Sequence, residues 1–464
     1  MAGAAGDLWE KNDGVYFGYI CDRVEGAPPP LDARKIVPYI GDRHLITIGP
    51  NGSGKSRRLL LTNLERLIEW SILVIDPKGE LAQMTAAHRK KSGRVIILNP
   101  FDALGLGSDR FNPVAALDPT SGEFADDALA LAEALIRVEG KEPFWPQSAQ
   151  DLVAALIMYS RLTQEDGGSL RHVRSELGKT AKDFADVVEE MIVTGIDREW
   201  EELAIKAARF SGITSDNREL NGIISTALTQ TRWLDSRPVK DDLDGQSTNG
   251  LRHGDEIDFA SMKHYPTTVY LILPARRLGT HSTWLRLMIA AVLGPLMKDT
   301  RKSATPVLFM LDEFAQLGHL PIIENNMAMM RGYGVKLWTV LQDLAQANEI
   351  YGKRWESFVG NAGVLQSFQP RDVVTTKYLS ELSGQSLRSE RSFSVTRTPG
   401  SKEVASENRA IKESLMAKLL PEDLRNMDEG FSLLYSHRNK GPVQTFLPDP
   451  SQLPHMKAIC ALAP

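Results

Sequence analysis

The sequence predicts an α/β fold: a mainly parallel, twisted sheet built around a phosphate-binding turn, with an all-α segment inserted between two strands. Three observations predict it. The first is Gly49-Pro50-Asn51-Gly52-Ser53-Gly54-Lys55-Ser56, which fills every fixed position of G-x-x-x-x-G-K-[ST]. It stands between an apolar run at 45–48 and a helical stretch at 57–70, the strand–turn–helix setting the motif needs. The second is the alternation of buried-type strands with helical stretches, which argues for parallel strands joined by right-handed crossovers. The third is a change of texture after Phe111-Asn112-Pro113: from about residue 121 to residue 241 strand-like runs nearly vanish.

Taken in order, residues 1–33 form a lead-in with one short β-element, Gly14 to Ile20, ended by the Ala27-Pro28-Pro29-Pro30 turn. Residues 34–120 are the first part of a nucleotide-binding domain. After the 45–48 strand, Ile72-Leu73-Val74-Ile75 runs into Asp76-Pro77-Lys78-Gly79-Glu80, and Arg94 to Asn99 supplies another strand. Such strands deliver their loops to the carboxyl edge of the sheet, where open α/β folds bind ligands. Residues 121–247 are the all-α insertion, with helical periodicity over 125–136, 149–162, 181–193, 200–210 and 218–233. The polar stretch Lys240 to Gly254 reads as the return linker. Residues 248–447 resume the nucleotide-binding domain with strands at 267–274, 306–313, 336–342 and 363–368 and a helix over 281–297. The Ser-, Arg-, Glu- and Thr-rich stretch 385–410 reads as a flexible exposed loop. A last hairpin pairs 431–436 with 442–446, and 448–464 form a C-terminal tail.

The chain has 464 residues, 42% hydrophobic and 24% charged, with a net charge of −5. That composition suits a water-soluble globular protein and does not advertise a nucleic-acid binder, whose surface is usually basic. An acidic ring with a locally basic channel remains compatible with it. If DNA is bound, the cations must cluster, with Arg171 to Lys182 and Arg276-Arg277 as candidate placements. The two cysteines, Cys21 and Cys460, stand at opposite ends and offer neither a zinc pattern nor a disulfide framework, so a reducing cytosol is expected. No stretch reaches 18 consecutive apolar residues and no signal peptide is evident, so the chain as written is expected neither to span a membrane nor to be exported.

The chemistry concentrates at a few positions. In the motif, Gly49, Asn51, Gly52, Ser53 and Gly54 let the backbone wrap phosphates, and N–H groups of the helix start, through Arg57, face the negative charge. Lys55 would reach the β/γ-phosphates, and Ser56 would ligate Mg²⁺. Asp312 and Glu313 close an apolar strand. Beside a Walker A motif they read as a Walker B pair, Asp312 holding the Mg²⁺ shell and Glu313 orienting and deprotonating the attacking water. Exposed acids at a strand end are the plainer alternative. Gln342 also ends an apolar strand, where an amide can touch the γ-phosphate or the water; the alternative is a surface amide. Arg331 is either a guanidinium that stabilises transition-state charge or a solvated surface residue. Asp76, Lys78 and Glu80 shape either a phosphate pocket or a plain turn. Arg43 and Arg354 read as surface charges, and Trp145, Trp200, Trp233 and Trp284 as core or interface.

At this point the sequence resembles the type IV secretion-system coupling proteins, the TraG/TraD-like conjugative DNA-transfer ATPases. The resemblance rests on GPNGSGKS at 49–56, VIDPKGEL at 74–81, RFNP at 110–113, TTVYLILP at 267–274, LFMLDEFAQLGHL at 308–320 and TVLQDLAQ at 339–346. These segments come in the family's order. It implies a RecA-like P-loop NTPase whose all-α domain falls between RFNP and TTVYLILP. It implies ATP and Mg²⁺ as ligands, hexameric rings with ATP at subunit interfaces, and DNA with a relaxase, or effector proteins, as cargo. It also implies inner-membrane type IV secretion components as partners, and so a cytoplasmic protein peripheral to the inner membrane. By position, Lys55, Ser56, Asp312 and Glu313 take the Walker roles, Gln342 couples hydrolysis to motion, and Arg331 matches the trans-acting arginine finger. The family's N-terminal transmembrane anchor is missing from the sequence as it stands.

The expected function is thus an ATPase that recruits and moves DNA, or a DNA–protein complex, to a type IV secretion channel. Two other readings stay open. One is an ATP-switched adaptor that binds secreted proteins through residues 121–247. The other is a DNA-translocating ATPase of the HerA/FtsK group, unrelated to secretion.

Overall fold

The structure, a computed structural model, describes residues 14–21, 36–138, 142–211, 217–244, 257–397, 404–436, 441–453 and 456–462. In chain order the strands are β1 (Val15–Ile20), β2 (Ile36–Tyr39), β3 (His44–Ile48), β4 (Ile72–Ile75), β5 (Arg94–Leu98), β6 (Thr267–Leu271), β7 (Val307–Leu311), β8 (Val335–Leu341), β9 (Ala362–Ser367), β10 (Gln385–Arg397), β11 (Val404–Ala417), β12 (Phe431–Ser436) and β13 (Val443–Phe446). The helices between β3 and β6 are α1 (Leu61–Arg66), α2 (Glu80–Arg89), α3 (Phe124–Leu135), α4 (Phe144–Thr163), α5 (Leu170–Leu177), α6 (Ala181–Asp197), α7 (Glu201–Ala208), α8 (Arg218–Gln230) and α9 (Arg237–Leu243). Then come α10 (Ala275–Lys298), α11 (Pro321–Met330), α12 (Leu344–Tyr351), α13 (Trp355–Asn361), α14 (Val373–Leu382), α15 (Pro421–Arg425) and α16 (Lys457–Cys460).

Two compact units divide the chain: Met1–Leu59 with Leu341–Asp449, and Leu60–Val340 with Pro450–Pro464. In the second unit the strands run in the order β8-β7-β4-β6-β5, every neighbouring pair parallel. Strands of such a sheet are covered on both faces, and β4, β6, β7 and β8 are accordingly buried along their whole length. A buried cation helps hold this layer. The Arg89 guanidinium donates to the carbonyls of Leu64 in α1 and of Leu67 and Trp70 beyond it and, at 2.8 Å, to the Thr268 hydroxyl of β6. It thereby satisfies carbonyls that a helix end leaves over. Burial lowers its pKa to about 10, so it stays charged at neutral pH.

From α3 to α9 the second unit is helical, and no strand occurs among the described residues 124–243. Ser169, Thr180 and Asn217 cap α5, α6 and α8 by accepting the N–H of His172, Asp183 and Leu220. The Leu152–Met158 run of α4 is fully buried and forms the spine of this segment. Three of the cations offered above as a DNA cluster are engaged within it, and Lys182 is exposed. Arg171 pairs with Asp241 and Asp244, Arg174 grips Asp235 with two bonds, and Lys179 pairs with Glu176. α9 occupies the start of the expected return linker, and residues 245–256 lie outside the described ones.

Asp242 of α9 is 3% exposed. Its carboxylate accepts the Ser108 hydroxyl at 2.8 Å and the Trp284 indole N–H at 3.1 Å. Burial pushes this carboxyl up to about 7, although both hydrogen bonds favour the ionised form. A carboxyl raised on folding contributes fully below its unfolded value near 3.8, and the contribution is lost as pH rises from about 4 to about 7. Asp242→Asn is expected to remove that loss, because an amide can still accept from Trp284 while the Ser108 hydroxyl turns to accept from it. Urea melts from pH 4.5 to 7.5 should move the stability difference in the variant's favour by roughly 2–4 kcal/mol. A difference that stays constant with pH would contradict this.

In the first unit the order is β2-β1-β13-β12-β9-β3, antiparallel except for the parallel β9–β3 pair. The predicted last hairpin is β12–β13; its turn residues 437–440 lie outside the described ones. Gln366 of β9 is fully buried, and its amide reaches Thr47 of β3, the Phe17 carbonyl of β1 and Ser432 of β12, so four strands share one polar knot. Two expectations fail here. The stretch 385–410 is not a loop: β10 and β11 form a two-stranded antiparallel ribbon, with residues 398–403 outside the described ones. β2 was not expected at all, because Pro38 interrupts its pattern. A proline is tolerated there because β2 is the edge strand.

Candidate active site

The motif folds at the end of β3 in the first unit. The Gly49 N–H donates to the Leu341 carbonyl at 3.0 Å, which leaves Gln342, the next residue, beside the turn. The Ser53 N–H returns to the Pro50 carbonyl at 3.2 Å and closes the turn. Glycine is needed for two different reasons. At Gly52 the φ of +79° demands it, in open space. At Gly49 a Cβ would sit 2.9 Å from both Phe368 Cβ and Ser53 Oγ, so the need is for room. The first helical turn, Lys55–Leu60, is wound as a π-helix before α1 continues it, a local form that often marks functional sites.

Lys55 is 7% exposed, and its ammonium is held by the carbonyls of Gly49 and, at 3.1 Å, Pro50. Ser53 is buried too, and its Oγ has no hydrogen-bond partner. An orphaned hydroxyl beside a buried cation and a helix start suits an anion with several acceptor oxygens, so the residues fit a polyphosphate. Asn51, Gly52 and Ser56 are exposed at the rim. Arg57 is exposed as well, but its guanidinium is engaged by Asp449 at 3.1 and 3.3 Å, so its reading as a ligand rests on its backbone N–H. Sequence reasoning missed Arg58. It packs behind Gly54 and donates to Glu429 at 2.6 Å and to the Leu447 carbonyl at 3.0 Å, tying the π turn to the segments before β12 and after β13. Nothing in its spacing distinguishes it from any helix-surface arginine.

The acid pair lies in the second unit. β7 is apolar and fully buried, and Asp312 follows it at 7% exposure. The Asp312 carboxylate accepts the Glu313 N–H at 3.0 Å. Glu313 sits at φ 52°, ψ 40°, a left-handed conformation that costs an L-residue about 1–2 kcal/mol. Such strain is often kept where a side chain must be aimed. Because Ile75 of β4 pairs with Leu311 of β7, Asp76 and Asp312 emerge side by side. Burial pushes the Asp76 carboxyl up to about 6, and the Asp312 charge adds to the rise. Asp76 accepts the N–H groups of Gly79 and Ala82, so it shapes the turn into α2; Lys78 is exposed, Glu80 half-buried, and the two are 4.0 Å apart.

Arg331 opens a 3₁₀ turn after α11, on the second unit, and is exposed. The Gln342 N–H donates to Gln346 Oε1 at 3.3 Å, and its half-buried side chain follows β8. Arg354 closes an exposed turn, and Trp233 and Trp284 are core residues. Among the described residues no cluster of three or more His, Cys, Asp or Glu side chains could hold a metal by itself. Mg²⁺ bound to phosphates needs no such cage, since it keeps several waters and takes one or two protein oxygens.

The type IV secretory system conjugative DNA transfer family matches residues 6–445, a span that includes the motif, the acid pair and the helical segment. The chain belongs to this family. It is 27% identical over 325 residues to the conjugal transfer protein TraG of Rhizobium radiobacter, covering 68% of this chain and 48% of that protein. It is 26% identical over 366 residues to a TraG of Escherichia coli, covering 74% of this chain and 55% of the relative. The chain thus spans about half the length of the curated relatives it matches. Its fold matches the plasmid coupling protein TrwB, solved with the non-hydrolysable ATP analogue ADPNP and with ADP and Mg²⁺. Each comparison gives a TM-score of 0.63 at 14% identity over 97% of this chain and 92% of that one. The expected RecA-like P-loop NTPase fold is therefore present, mixed β-strands beside the motif included. No helix among the described residues is long and apolar enough to cross a membrane.

Proposed function

We propose that the chain is the ATP-hydrolysing part of a coupling protein, one that recruits DNA or a DNA–protein complex and moves it to a type IV secretion channel. The observation that carries the reading is the family match over 6–445, which takes in both a glycine-shaped phosphate turn and a strand-end acid pair. TrwB, which shares the fold, binds ADPNP, and ADP with Mg²⁺. By the same chemistry Lys55, Ser56 and the N–H groups of Gly52 to Arg57 would hold the phosphates here, Ser56 would ligate Mg²⁺, and Asp312 takes the Walker B role. The ion would neutralise phosphate charge as it develops. Glu313 orients and deprotonates water, and Gln342 senses the γ-phosphate from its place beside the turn. Arg331 serves the site of a neighbouring copy in a hexameric ring docked on inner-membrane secretion components.

DNA held by such a ring is bound through its phosphates with little base readout. Arg276 and Arg277, exposed at the start of α10, offer a placement for such contacts. One observation favours a protein cargo for the helical segment. Val193, Ile196 and Ile205 are more than half exposed on α6 and α7, where exposed Glu189, Asp197, Glu199, Glu201 and Glu202 outnumber the exposed Arg198 between them. That surface repels phosphate and suits a basic, partly apolar protein segment. Phosphate release from ATP, measured with and without single-stranded DNA, tests the reading. Stimulation by DNA, weakened by added salt, supports the motor; hydrolysis indifferent to DNA supports the adaptor.

A further inference from the structure

The last residues of α3, Ala134 and Leu135, lead into an extended stretch that starts at Ile136, and several elements of the second unit fasten to this strap of helix end and extended chain, Ala134 to Arg137. Gln150 of α4 donates to the Ile136 carbonyl at 2.9 Å. Gln230 of α8 clips the Arg137 backbone twice, accepting its N–H at 2.6 Å and donating to its carbonyl at 3.0 Å. Arg286 of α10 donates to the Ala134 carbonyl at 3.3 Å. The position of the strap therefore reports how α3, α4 and α8 are arranged.

The same strap holds the loop that carries Glu313. Arg286 is 2% exposed, and the guanidinium that reaches Ala134 also donates to the His319 carbonyl. Arg137 donates to the Ser282 hydroxyl of α10 at 2.8 Å, and its Nη1 lies 3.3 Å from where a Cβ on Gly318 would stand. Gly318 is at φ 68°, ψ −160°, a region open essentially to glycine alone. The loop from Glu313 to His319 is thus strained at Glu313 and needs a glycine at 318, and at its far end Arg286 bonds it to the helical segment while Arg137 lies against Gly318. Burying a guanidinium is costly unless its hydrogen bonds are well placed. Among its acceptors here are one carbonyl of the strap and one of the loop. A side chain serving the core alone would have no need to join these two segments.

We propose that Arg286, assisted by Arg137, is a positioning residue that couples the helical segment to the Glu313 loop. Rearrangement of α3, α4 and α8, as by cargo bound to that segment, moves the strap, and through Arg286 it re-aims the Glu313 carboxylate. The coupling acts on turnover rather than on nucleotide affinity, because the strap touches the acid-bearing loop. The inference rests on the hydrolytic role proposed for Glu313.

The test compares the full chain with its Arg286→Met, Arg286→Lys and Arg137→Met variants by three readouts: affinity for a fluorescent ATP analogue, turnover, and amide hydrogen exchange. Arg286→Met should keep the affinity within about twofold, lose turnover at least about tenfold, and speed exchange over 312–320 without speeding it in β7. Arg286→Lys should recover part of the turnover, since an ammonium can still bridge to one carbonyl, and Arg137→Met should show a smaller loss of the same kind. Unchanged turnover, or affinity and turnover falling together, would overturn the proposal. If the unaltered chain hydrolyses nothing, the functional reading fails, yet exchange still decides this inference: no change over 312–320 sinks it. Should Arg286→Met not fold, Arg137→Met with Gly318→Ala carries the same comparison.

Discussion

Replacing Lys55 by alanine is expected to lower ATP turnover by about 10²–10³-fold and to weaken nucleotide binding, without unfolding the chain. The ammonium is buried, and the carbonyls of Gly49 and Pro50 already hold it at the mouth of the turn. A phosphate oxygen offers it a charged partner in place of neutral ones, so the exchange favours bound nucleotide. Alanine removes that charge where water is scarce and where its effect on developing phosphate charge is large. The turn itself keeps its own bonds, Ser53 N–H to Pro50 and Gly49 N–H to Leu341. Circular dichroism melts beside a phosphate-release assay check both halves. Turnover within threefold of the unaltered chain would remove Lys55 from the site.

Glu313→Gln is expected to cost about 10²–10⁴-fold in turnover while nucleotide affinity stays near that of the unaltered chain, because an amide cannot take a proton from water. A companion variant exposes what the position costs. Glu313 is held at φ 52°, so Glu313→Gly should raise stability by about 1 kcal/mol while also abolishing hydrolysis. More stable and inactive is the signature of strain retained for function. If Glu313→Gly were less stable, the left-handed backbone would reflect something other than an aimed side chain. If Glu313→Gln kept full turnover, another residue would be the base.

How much of this could be read from the sequence depends on how local each cause is. The phosphate turn and the Asp312-Glu313 strand end are legible because their chemistry needs neighbouring residues in a fixed order. The helical segment is legible because α4, α6 and α8 bury regular faces. α5 is not legible because its eight residues are mostly polar, and in sequence its arginines look like a basic cluster although Asp235, Asp241 and Asp244 pair with them. The β10–β11 ribbon looked like a loop because its Ser-, Arg- and Glu-rich strands show no apolar alternation. What pairs them is register, Gln385 opposite Ala417, which composition does not carry. Arg89 and Arg286 are the least legible. A buried arginine spends its donors on carbonyls distant in sequence, and a charged letter in a helix gives no hint of it.

The claim that most needs testing is that the chain works as a ring motor on DNA. The measurement is ATP turnover per molecule against protein concentration, with and without single-stranded DNA. It should include an Arg331→Ala chain, a Lys55→Ala chain and an equal mixture of the two. The account predicts turnover that rises with concentration and with DNA, near-silence in each variant alone, and partial recovery in the mixture. Recovery follows because a Lys55→Ala copy can still lend its Arg331 to the intact phosphate turn of an Arg331→Ala neighbour. Turnover that ignores concentration and DNA, with no recovery on mixing, would contradict it.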